Sequence, residues 1–278
     1  MNRLLTIMVV WVVTFTACTK GERKSDFLTS ENKQISEEVS NLSGTWRLVS
    51  GNPFIRFIEN VPEDFSSHTS LLIFSKKHWT FVRFNPRDRQ FYSAKGGSYS
   101  FEKESISFYT EYDSENENNF GAIHAFKVLL DQDKRNKLCI WMNGGGDANQ
   151  QCTFQKMEAG SQDHPMMGAW LNVSMLNRNG KMIEPLSTVI EIFTDNYYVI
   201  SIYDVENQHF AGAGGGTYFL SSGQLFCNVE FYSWDSTWVG EQLVFDCILD
   251  KEYCQLSGVL NLENFKNRKV EEHWERLD

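Results

Sequence analysis

The sequence is poor in features that commit a chain to disorder, to nucleic acid or to a membrane-spanning helix. It has only 5 prolines in 278 residues and a charged fraction of 22%, which argues against a largely disordered chain. No basic run is long enough to hold a phosphate backbone, and the formal charge of −10 opposes such contact. No apolar run reaches the roughly 20 residues that span a bilayer. We therefore expect a globular protein with no nucleic-acid partner.

The patterns of catalytic and metal sites are also missing. No Gly-x-Ser-x-Gly elbow presents a serine nucleophile, and Gly144–Gly146 and Gly214–Gly216 lack the Lys-Ser/Thr of a phosphate loop. We interpret these glycines as a tight turn and as a strand entrance where the backbone bends. No cysteines have Cys-x-x-Cys spacing and no histidines have metal-ligand spacing. The sequence predicts no enzyme, no cofactor and no metal site; an enzyme using a few interior polar groups is the least favoured hypothesis.

The N-terminus has the pattern of an export signal. A short cationic start precedes the apolar stretch Leu4 to Val13, which is too short to cross a membrane. This is typical of a signal peptide, and we assign it to residues 1–17.

The end of this segment resembles a lipobox, whose cysteine is lipid-modified and becomes the mature N-terminus. Thr16 and Ala17 are the small residues before Cys18, although Phe15 stands where leucine is usual. The alternative is an ordinary signal peptide followed by a chance cysteine. Residues 18–41 are too polar to bury much apolar area, so we expect the lipidated N-terminus and a flexible tether there. The resemblance implies lipid anchoring in the bacterial cell envelope, at the outer membrane, with the folded part in the periplasm or at the cell surface.

An internal repeat predicts the domain organisation. A shift of 119 positions places Leu71–Tyr112 on Ile190–Phe231 without a gap. Each copy is long enough for one small domain, and a short polar join predicts that the copies touch. The predicted boundaries are 42–158 for the first copy, 159–165 for the linker and 166–278 for the second copy.

Each copy has the pattern of antiparallel strands. Runs such as His78–Phe84 and Tyr197–Tyr203 are dense in β-branched and aromatic residues, and turn pairs such as Ser222-Gly223 separate the runs. No window has a sustained helical period. Many short strands at even spacing predict an all-β barrel or sandwich.

The ends of each copy favour the barrel. The first strand of each copy carries Gly-x-Trp and the last carries a long cation, which pairs Trp46 with Lys156 and Trp170 with Arg276. This resembles lipocalins and related calycins, in which the cation covers the tryptophan at the closed end of the barrel. The resemblance implies two tandem antiparallel barrels of about eight strands each.

The same pattern is similar to lipocalin-like domains of bacterial secreted and membrane lipoproteins of unknown function. That family has no settled activity to transfer. The segments that carry the similarity are Gly44–Leu48, Lys77–Val82, Ala213–Tyr218 and Glu271–Arg276.

Two pairs of cysteines flank tight turns. Cys139 and Cys152 surround a turn centred on Gly145-Gly146, while Cys247 and Cys254 surround a second turn. An exported protein can oxidise such pairs to disulfides. Because cross-strand geometry often suits a disulfide poorly, small buried thiols are the alternative.

Interior aromatic residues could line a ligand cavity or fill the core, and the sequence does not separate the two. The repeat retains Glu111 and Glu230, which could anchor a ligand or face outward in cross-strand ion pairs. Trp234 and Trp238 lie in a predicted loop, where exposed tryptophans could contact a partner. The candidate ligand-binding residues are Trp79, Phe81, Arg83, Tyr99, Glu111, Tyr198, Ile200, Tyr218, Glu230 and Trp234.

These features lead to two main functional hypotheses. The first is a non-catalytic envelope lipoprotein that binds or carries a small apolar or amphipathic ligand in a barrel. The second is an interaction or scaffolding lipoprotein with filled barrels, whose exposed aromatic loops dock on another envelope protein.

Overall fold

The structure is a computed structural model that describes residues 42–51, 68–131, 136–141, 151–157, 164–262 and 265–278. The predicted signal peptide, Cys18, the tether and most of the linker lie outside the described residues. In the described part, almost every element is an antiparallel strand. None of its helices has both the length and the apolar character needed to cross a membrane.

The first half forms one closed barrel. Its last strand pairs with its first, and β5 and β6 are consecutive parts of one barrel strand because both pair with β4, which leaves eight strands around the ring. The strands are β1 (Gly44–Ser50), β2 (Thr69–Phe74), β3 (His78–Asn85), β4 (Gln90–Glu102), β5 (Ser105–Tyr109), β6 (Tyr112–Asp113), β7 (Ile123–Asp131), β8 (Lys137–Trp141) and β9 (Gln151–Lys156).

The second half repeats this ring. Its first and last strands pair. A short additional strand, β11, pairs with the end of β10, beyond the part of β10 that pairs with β12. The strands are β10 (Gly168–Leu176), β11 (Met182–Ile183), β12 (Thr188–Phe193), β13 (Tyr197–Asp204), β14 (His209–Ser221), β15 (Gln224–Tyr232), β16 (Gln242–Leu249), β17 (Tyr253–Leu262) and β18 (Phe265–Arg276). The prediction of two closed antiparallel barrels is confirmed. We call them barrel 1 and barrel 2.

Side chains alternate between the interior and the exterior of each barrel, as the pleat of a strand requires. In β3, Trp79 and Phe81 join the interior cluster of barrel 1, whereas Val82 and Phe84 face outward. Barrel 2 has its own interior cluster, which includes Trp170 and Tyr198. The two halves therefore have separate cores.

A bulge interrupts the alternation at the same place in both copies. In β15, Glu230 is the extra residue, so Phe231 faces outward and Tyr232 returns to the interior. Glycine is required opposite the bulge because a Cβ at Gly216 would collide with the carbonyl oxygen of Asn228. Gly97 has the same constraint in barrel 1. These glycines lie within β4 and β14 rather than at the strand entrance that was expected for Gly214–Gly216, and Gly144–Gly146 lie outside the described residues.

An apolar cluster joins the outer faces of the two barrels. Phe84 packs on Phe231 with ring centroids 4.6 Å apart, and Tyr112 packs on Tyr203 at 4.8 Å. These contacts exchange repeat-equivalent residues, so the interface has approximate twofold symmetry. Its members are Leu71, Ile73, Val82, Phe84, Ala94, Tyr112 and Phe120 from barrel 1 and Ala169, Ile190, Ile192, Tyr197, Val199, Tyr203, Ala213 and Phe231 from barrel 2.

The predicted tryptophan–cation pairs lie at corresponding ends of the two barrels. Nζ of Lys156 is 5.3 Å from the centroid of the Trp46 ring, and the guanidinium carbon of Arg276 is 4.1 Å from that of Trp170. Arg276 also donates hydrogen bonds to the carbonyl oxygens of Pro165 and Met167. We call this end of each barrel the floor and the opposite end the rim.

We expect Arg276→Met to lower the free energy of unfolding by about 2–4 kcal/mol, because it removes a close cation–π contact and charged hydrogen bonds. Lys156→Met should cost only about 0.5–1 kcal/mol, since its cation lies farther from the ring. Urea denaturation of both variants measures the difference. Equal losses would contradict a distinct role for Arg276.

Candidate ligand-binding site

The interiors of the two barrels differ in side-chain size at equivalent positions. Phe81, Phe101 and Phe108 of barrel 1 fill its interior. Their equivalents in barrel 2, in the same order, are Ile200, Leu220 and Cys227. At these three positions barrel 2 therefore has less side-chain volume than barrel 1.

The number of partly exposed inward residues also differs between the two barrels. Among the described residues of barrel 1, Leu130 is the one partly buried hydrophobic residue that packs on the interior cluster. In barrel 2 the partly buried ones are Ile200, Ile202, Leu220, Leu243, Phe245, Cys247 and Leu249. Barrel 2 therefore keeps accessible apolar surface on its inner wall, whereas the described interior of barrel 1 is closely packed.

The rim of barrel 1 contains buried charges. Arg83 Nη1 lies 3.7 Å from Glu115 Oε1, and Lys95 Nζ lies 3.7 Å from Asp113 Oδ2. Asn119 donates a further hydrogen bond of 2.7 Å to Asp113. Burial lowers the pKa of Arg83 and raises that of Glu115, and the attraction between the two partly offsets both shifts. The predicted ligand residue Arg83 is thus engaged by a carboxylate of its own barrel.

Aromatic side chains replace these charges at the rim of barrel 2. At three repeat-equivalent positions barrel 2 carries aromatic rings where barrel 1 carries polar or charged side chains. Tyr232, Trp234 and Trp238 replace Asp113, Glu115 and Asn119, in that order. Tyr232 stacks on Trp238 with centroids 4.4 Å apart and planes 4° apart. Gly212 and Gly214 replace Ser93 and Lys95 of barrel 1. A Cβ on Gly212 would collide with the Trp234 ring and one on Gly214 with the Tyr232 ring, so these glycines leave space for the two rings.

The two rim tryptophans do not behave alike. Trp234 is 40% exposed, packs on Tyr232 and donates a hydrogen bond to the carbonyl oxygen of Ala211. Trp238 is only 6% exposed, which corrects the expectation that both form an exposed loop patch. It lies in a short 3-10 turn, Ser236–Trp238, that presses its ring onto Tyr232.

The inner wall of barrel 2 carries three polar side chains on adjacent strands. Asn172, Glu191 and Glu272 lie on β10, β12 and β18, in register with the inward residues Trp170 and Trp274. Glu191 is 6% exposed and Asn172 is 5% exposed. We call these three residues the acidic wall.

Burial controls the electrostatics of the acidic wall. Desolvation raises the pKa of Glu191 well above its usual range, and repulsion from Glu272 and Cys247 adds to the effect. Burial also raises the pKa of Glu272 to about 7, although the nearby Trp274 indole N–H and the Arg268 guanidinium oppose the shift. Both carboxyls therefore hold protons more tightly than exposed glutamates do.

The acidic wall was not predicted from the sequence, although the two copies of the repeat differ at its positions. Glu191 and Asn172 replace Leu72 and Leu48 of barrel 1, both of which are buried in the interior. Two apolar positions that become polar in one copy indicate a local change of interior chemistry. Comparing the copies position by position could have found it.

All five described cysteines are free thiols, so of the two alternatives that the sequence left open the structure contains thiols rather than disulfides. Cys152 pairs with Ile140 in the β8–β9 ladder, so it lies one residue out of register with Cys139. A shift of one residue reverses the facing of a side chain, and Cys152 points into barrel 1 while Cys139 does not.

The second pair is closer but also unbonded. Cys247 pairs with Leu256 and Leu249 pairs with Cys254, so the two thiols face the interior of barrel 2 diagonally. Their sulfur atoms are 3.9 Å apart, far beyond a disulfide bond. The alternative of buried thiols is the one that the structure contains.

Glu111 and Glu230 mark the bulges and accept hydrogen bonds from tyrosines. Tyr203 donates to Glu111 across the barrel interface, and Tyr197 donates to Glu230, each at 2.7 Å. These carboxylates therefore lie on the exterior of the barrels near the interface, and among the described residues neither forms the cross-strand ion pair that was the alternative.

The remaining predicted ligand residues face the barrel interiors, and two of their tyrosine hydroxyls already donate hydrogen bonds to backbone carbonyl oxygens. Tyr99 donates its hydroxyl to the Ser75 carbonyl oxygen at 2.8 Å, and Tyr218 donates to that of Thr194 at 2.6 Å. Trp79 and Phe81 are fully buried in barrel 1, whereas Tyr198 lies in the interior of barrel 2 with the partly buried Ile200 beside it.

Each half has a meander of antiparallel strands, a last strand that pairs with the first, and a cation over the Gly-x-Trp ring. Both halves are lipocalin-like barrels. No group of three or more His, Cys, Asp or Glu side chains suited to a metal ion occurs among the residues described.

No family model matches the chain, and no curated protein matches it. Solved structures similar to it include a lipocalin-like protein from Bacteroides uniformis ATCC 8492, with 11% identity and a TM-score of 0.31 over 41% of this chain and 100% of that one. Another is an uncharacterized protein from Bacteroides eggerthii DSM 20697, with 12% identity and a TM-score of 0.29 over 40% of this chain and 99% of that one.

The raised pKa of Glu272 predicts that the protein loses stability as pH rises. Between the unfolded pKa near 4.3 and the folded value, the folded state holds a proton that the unfolded state releases, so raising the pH favours unfolding. Glu272→Gln should remove about 1–3 kcal/mol of this loss. Urea denaturation at pH 5 and pH 8 measures it.

Glu275→Gln is the matched control, because Glu275 is exposed on the same strand and faces the other way. It should retain the native pH dependence. If Glu272→Gln and the native protein lost stability in parallel, Glu272 would not carry a raised pKa.

Proposed function

We propose that this protein is a non-catalytic, lipid-anchored envelope protein that binds a small amphipathic molecule inside barrel 2. One observation carries the proposal: at three interior positions barrel 2 has smaller side chains than barrel 1, and several of its described inward residues are partly exposed. A closed barrel of this size can be filled by side chains or can hold one small ligand. Barrel 1 follows the first pattern and barrel 2 the second.

The combination of surfaces inside barrel 2 favours an amphipathic ligand over a purely apolar one. Ligand pockets are mostly apolar with a few convergent polar groups. Barrel 2 supplies apolar walls from residues such as Val189, Leu225 and Leu256, together with the acidic wall. A ligand with an apolar body and one polar group matches both.

A scaffolding role is the second candidate. It is favoured by Trp234, whose ring is 40% exposed at the rim of barrel 2. The burial of Trp238 reduces the aromatic surface available for docking, so we place ligand binding first.

Anchoring at the outer membrane is proposed from the lipobox-like residues that end at Cys18. A lipid there would hold the barrels at the membrane through the polar residues 18–41. The barrels would then lie in the periplasm or at the cell surface.

Cys18→Ala is expected to abolish lipid attachment and release the protein from membranes, because the modified thiol is lost. Incorporation of labelled palmitate and fractionation of cells measure the two effects. Cys139→Ala is the control, since this cysteine lies within barrel 1. A native protein that incorporates no palmitate would contradict the anchor.

Filling the interior of barrel 2 should block ligand binding. Cys227→Phe installs the residue that barrel 1 carries at this position, and we expect it to weaken binding of the fluorescent apolar probe N-phenyl-1-naphthylamine at least tenfold. Probe titration by fluorescence measures the affinity, and circular dichroism checks that the variant folds.

Ile248→Phe is the matched control, because Ile248 is 71% exposed on the outside of the same barrel. It should bind the probe as the native protein does. Two results would exclude a ligand in barrel 2. In the first, the native protein does not bind the probe. In the second, Cys227→Phe and a second filling variant, Ile200→Phe, both bind the probe as tightly as the native protein.

A further inference from the structure

The acidic wall brings three inward polar side chains to one side of barrel 2. β12, β10 and β18 are neighbouring strands, and they carry Glu191, Asn172 and Glu272 respectively. The indole of Trp274, directly opposite Asn172 in the ladder, lies in the same interior. Barrel 1 has buried apolar residues, Leu72, Leu48 and Cys152, at the matching positions. The polar wall is therefore specific to the second copy.

The polar atoms of this wall lack partners in the described part of the chain. The buried Oδ1 of Asn172 accepts no hydrogen bond from a described residue, and the buried indole N–H of Trp274 lies close to the Glu272 carboxyl without completing a hydrogen bond of normal geometry. The carboxyl of Glu191 forms no hydrogen bond or ion pair with any residue that the structure describes. Arg268 attracts Glu272 without forming an ion pair with it. Buried polar groups normally have partners, so this wall lacks the groups that would satisfy it.

The missing partner must be rich in donors. Asn172 Oδ1 and the carboxylate oxygens of Glu191 and Glu272 are all acceptors. A primary ammonium has three N–H donors and a positive charge, so it satisfies several acceptors at once and compensates a buried carboxylate. The ring of Trp274 in the same interior also favours a cation. A carboxylate supplies no N–H donor for Asn172 Oδ1 and opposes ionisation of Glu191 and Glu272.

We propose that the acidic wall binds the ammonium group of an amphipathic primary amine, whose apolar part lies along the inner wall of barrel 2. This inference rests on the proposed function, because it specifies the class of ligand that the barrel holds. Glu191 is the principal contact, Asn172 a neutral acceptor and Glu272 the second carboxylate. Because burial raises the pKa of both carboxyls and a bound cation lowers it, binding favours release of a proton as the cation arrives.

The test uses three probes with the same chain length: octylamine, 1-octanol and octanoate. Residues 19–278, which contain both barrels and no lipid, are titrated with each probe by calorimetry at pH 7. We expect octylamine to bind at least tenfold more tightly than 1-octanol and octanoate to bind most weakly. Titration in two buffers of different ionisation enthalpy should show about one proton released per octylamine bound, and none for 1-octanol.

Substitutions locate the site. Glu191→Gln should weaken octylamine binding at least tenfold and reduce the proton release, and it should weaken 1-octanol binding by a much smaller factor because the hydroxyl carries no charge. Asn172→Leu, which restores the residue found in barrel 1, should weaken octylamine binding by a smaller factor. Glu275→Gln removes the same charge from the exposed face of β18 and should change nothing.

The outcomes separate this inference from the proposed function. Equal binding of the three probes, or octylamine binding that Glu191→Gln leaves intact, overturns recognition of an ammonium group while a ligand-binding barrel stands. If none of the three octyl probes binds but N-phenyl-1-naphthylamine does, the inference also fails and the proposed function survives. Loss of binding to all four probes removes both.

Discussion

Closure of each sheet on its own first strand is the constraint on which the rest of the structure depends. Pairing of β1 with β9 and of β10 with β18 leaves no free edge on either ring and gives every strand an inside and an outside. The cation over the tryptophan ring fixes the floor at the point of closure. Once the ring is closed, inward side chains determine whether its interior is solid or can hold a ligand.

The two copies use this framework differently. Barrel 1 packs its interior with aromatic rings and places its buried charges in pairs at the rim. Barrel 2 has aromatic rings at the rim and buried carboxyls deeper inside. The buried carboxyls thus lie at different depths in the two barrels, although β2–β4 and β12–β14 have the same lengths and register.

Much of the fold was predictable because its signals are local and occur twice. The Gly-x-Trp segments, the final cations and the repeat register all identified elements that the structure contains. The facing of Glu191 was not predictable from its own strand. Its neighbours Ile190 and Ile192 are as apolar as Val189 and Phe193, because one face lines the barrel and the other packs on the second barrel. With both faces apolar, alternation gives no direction.

The cysteine pairs show a second physical limit. Symmetry about a turn in the sequence placed Cys139 opposite Cys152, but the ladder between β8 and β9 is offset by one residue. Register depends on the inward packing of residues such as Leu138 and Phe154, which is a property of the whole barrel. Local symmetry of the sequence cannot supply it.

The near-twofold interface makes each barrel depend on the other for cover. A single copy would expose the outer faces of strands such as β2 and β3, with the Phe84 ring among them, directly to water. The tandem arrangement covers that face with the equivalent face of the second copy. Among the described residues, the interior clusters share no member with this interface, so the two barrels can differ inside while the contact that joins them keeps the same form.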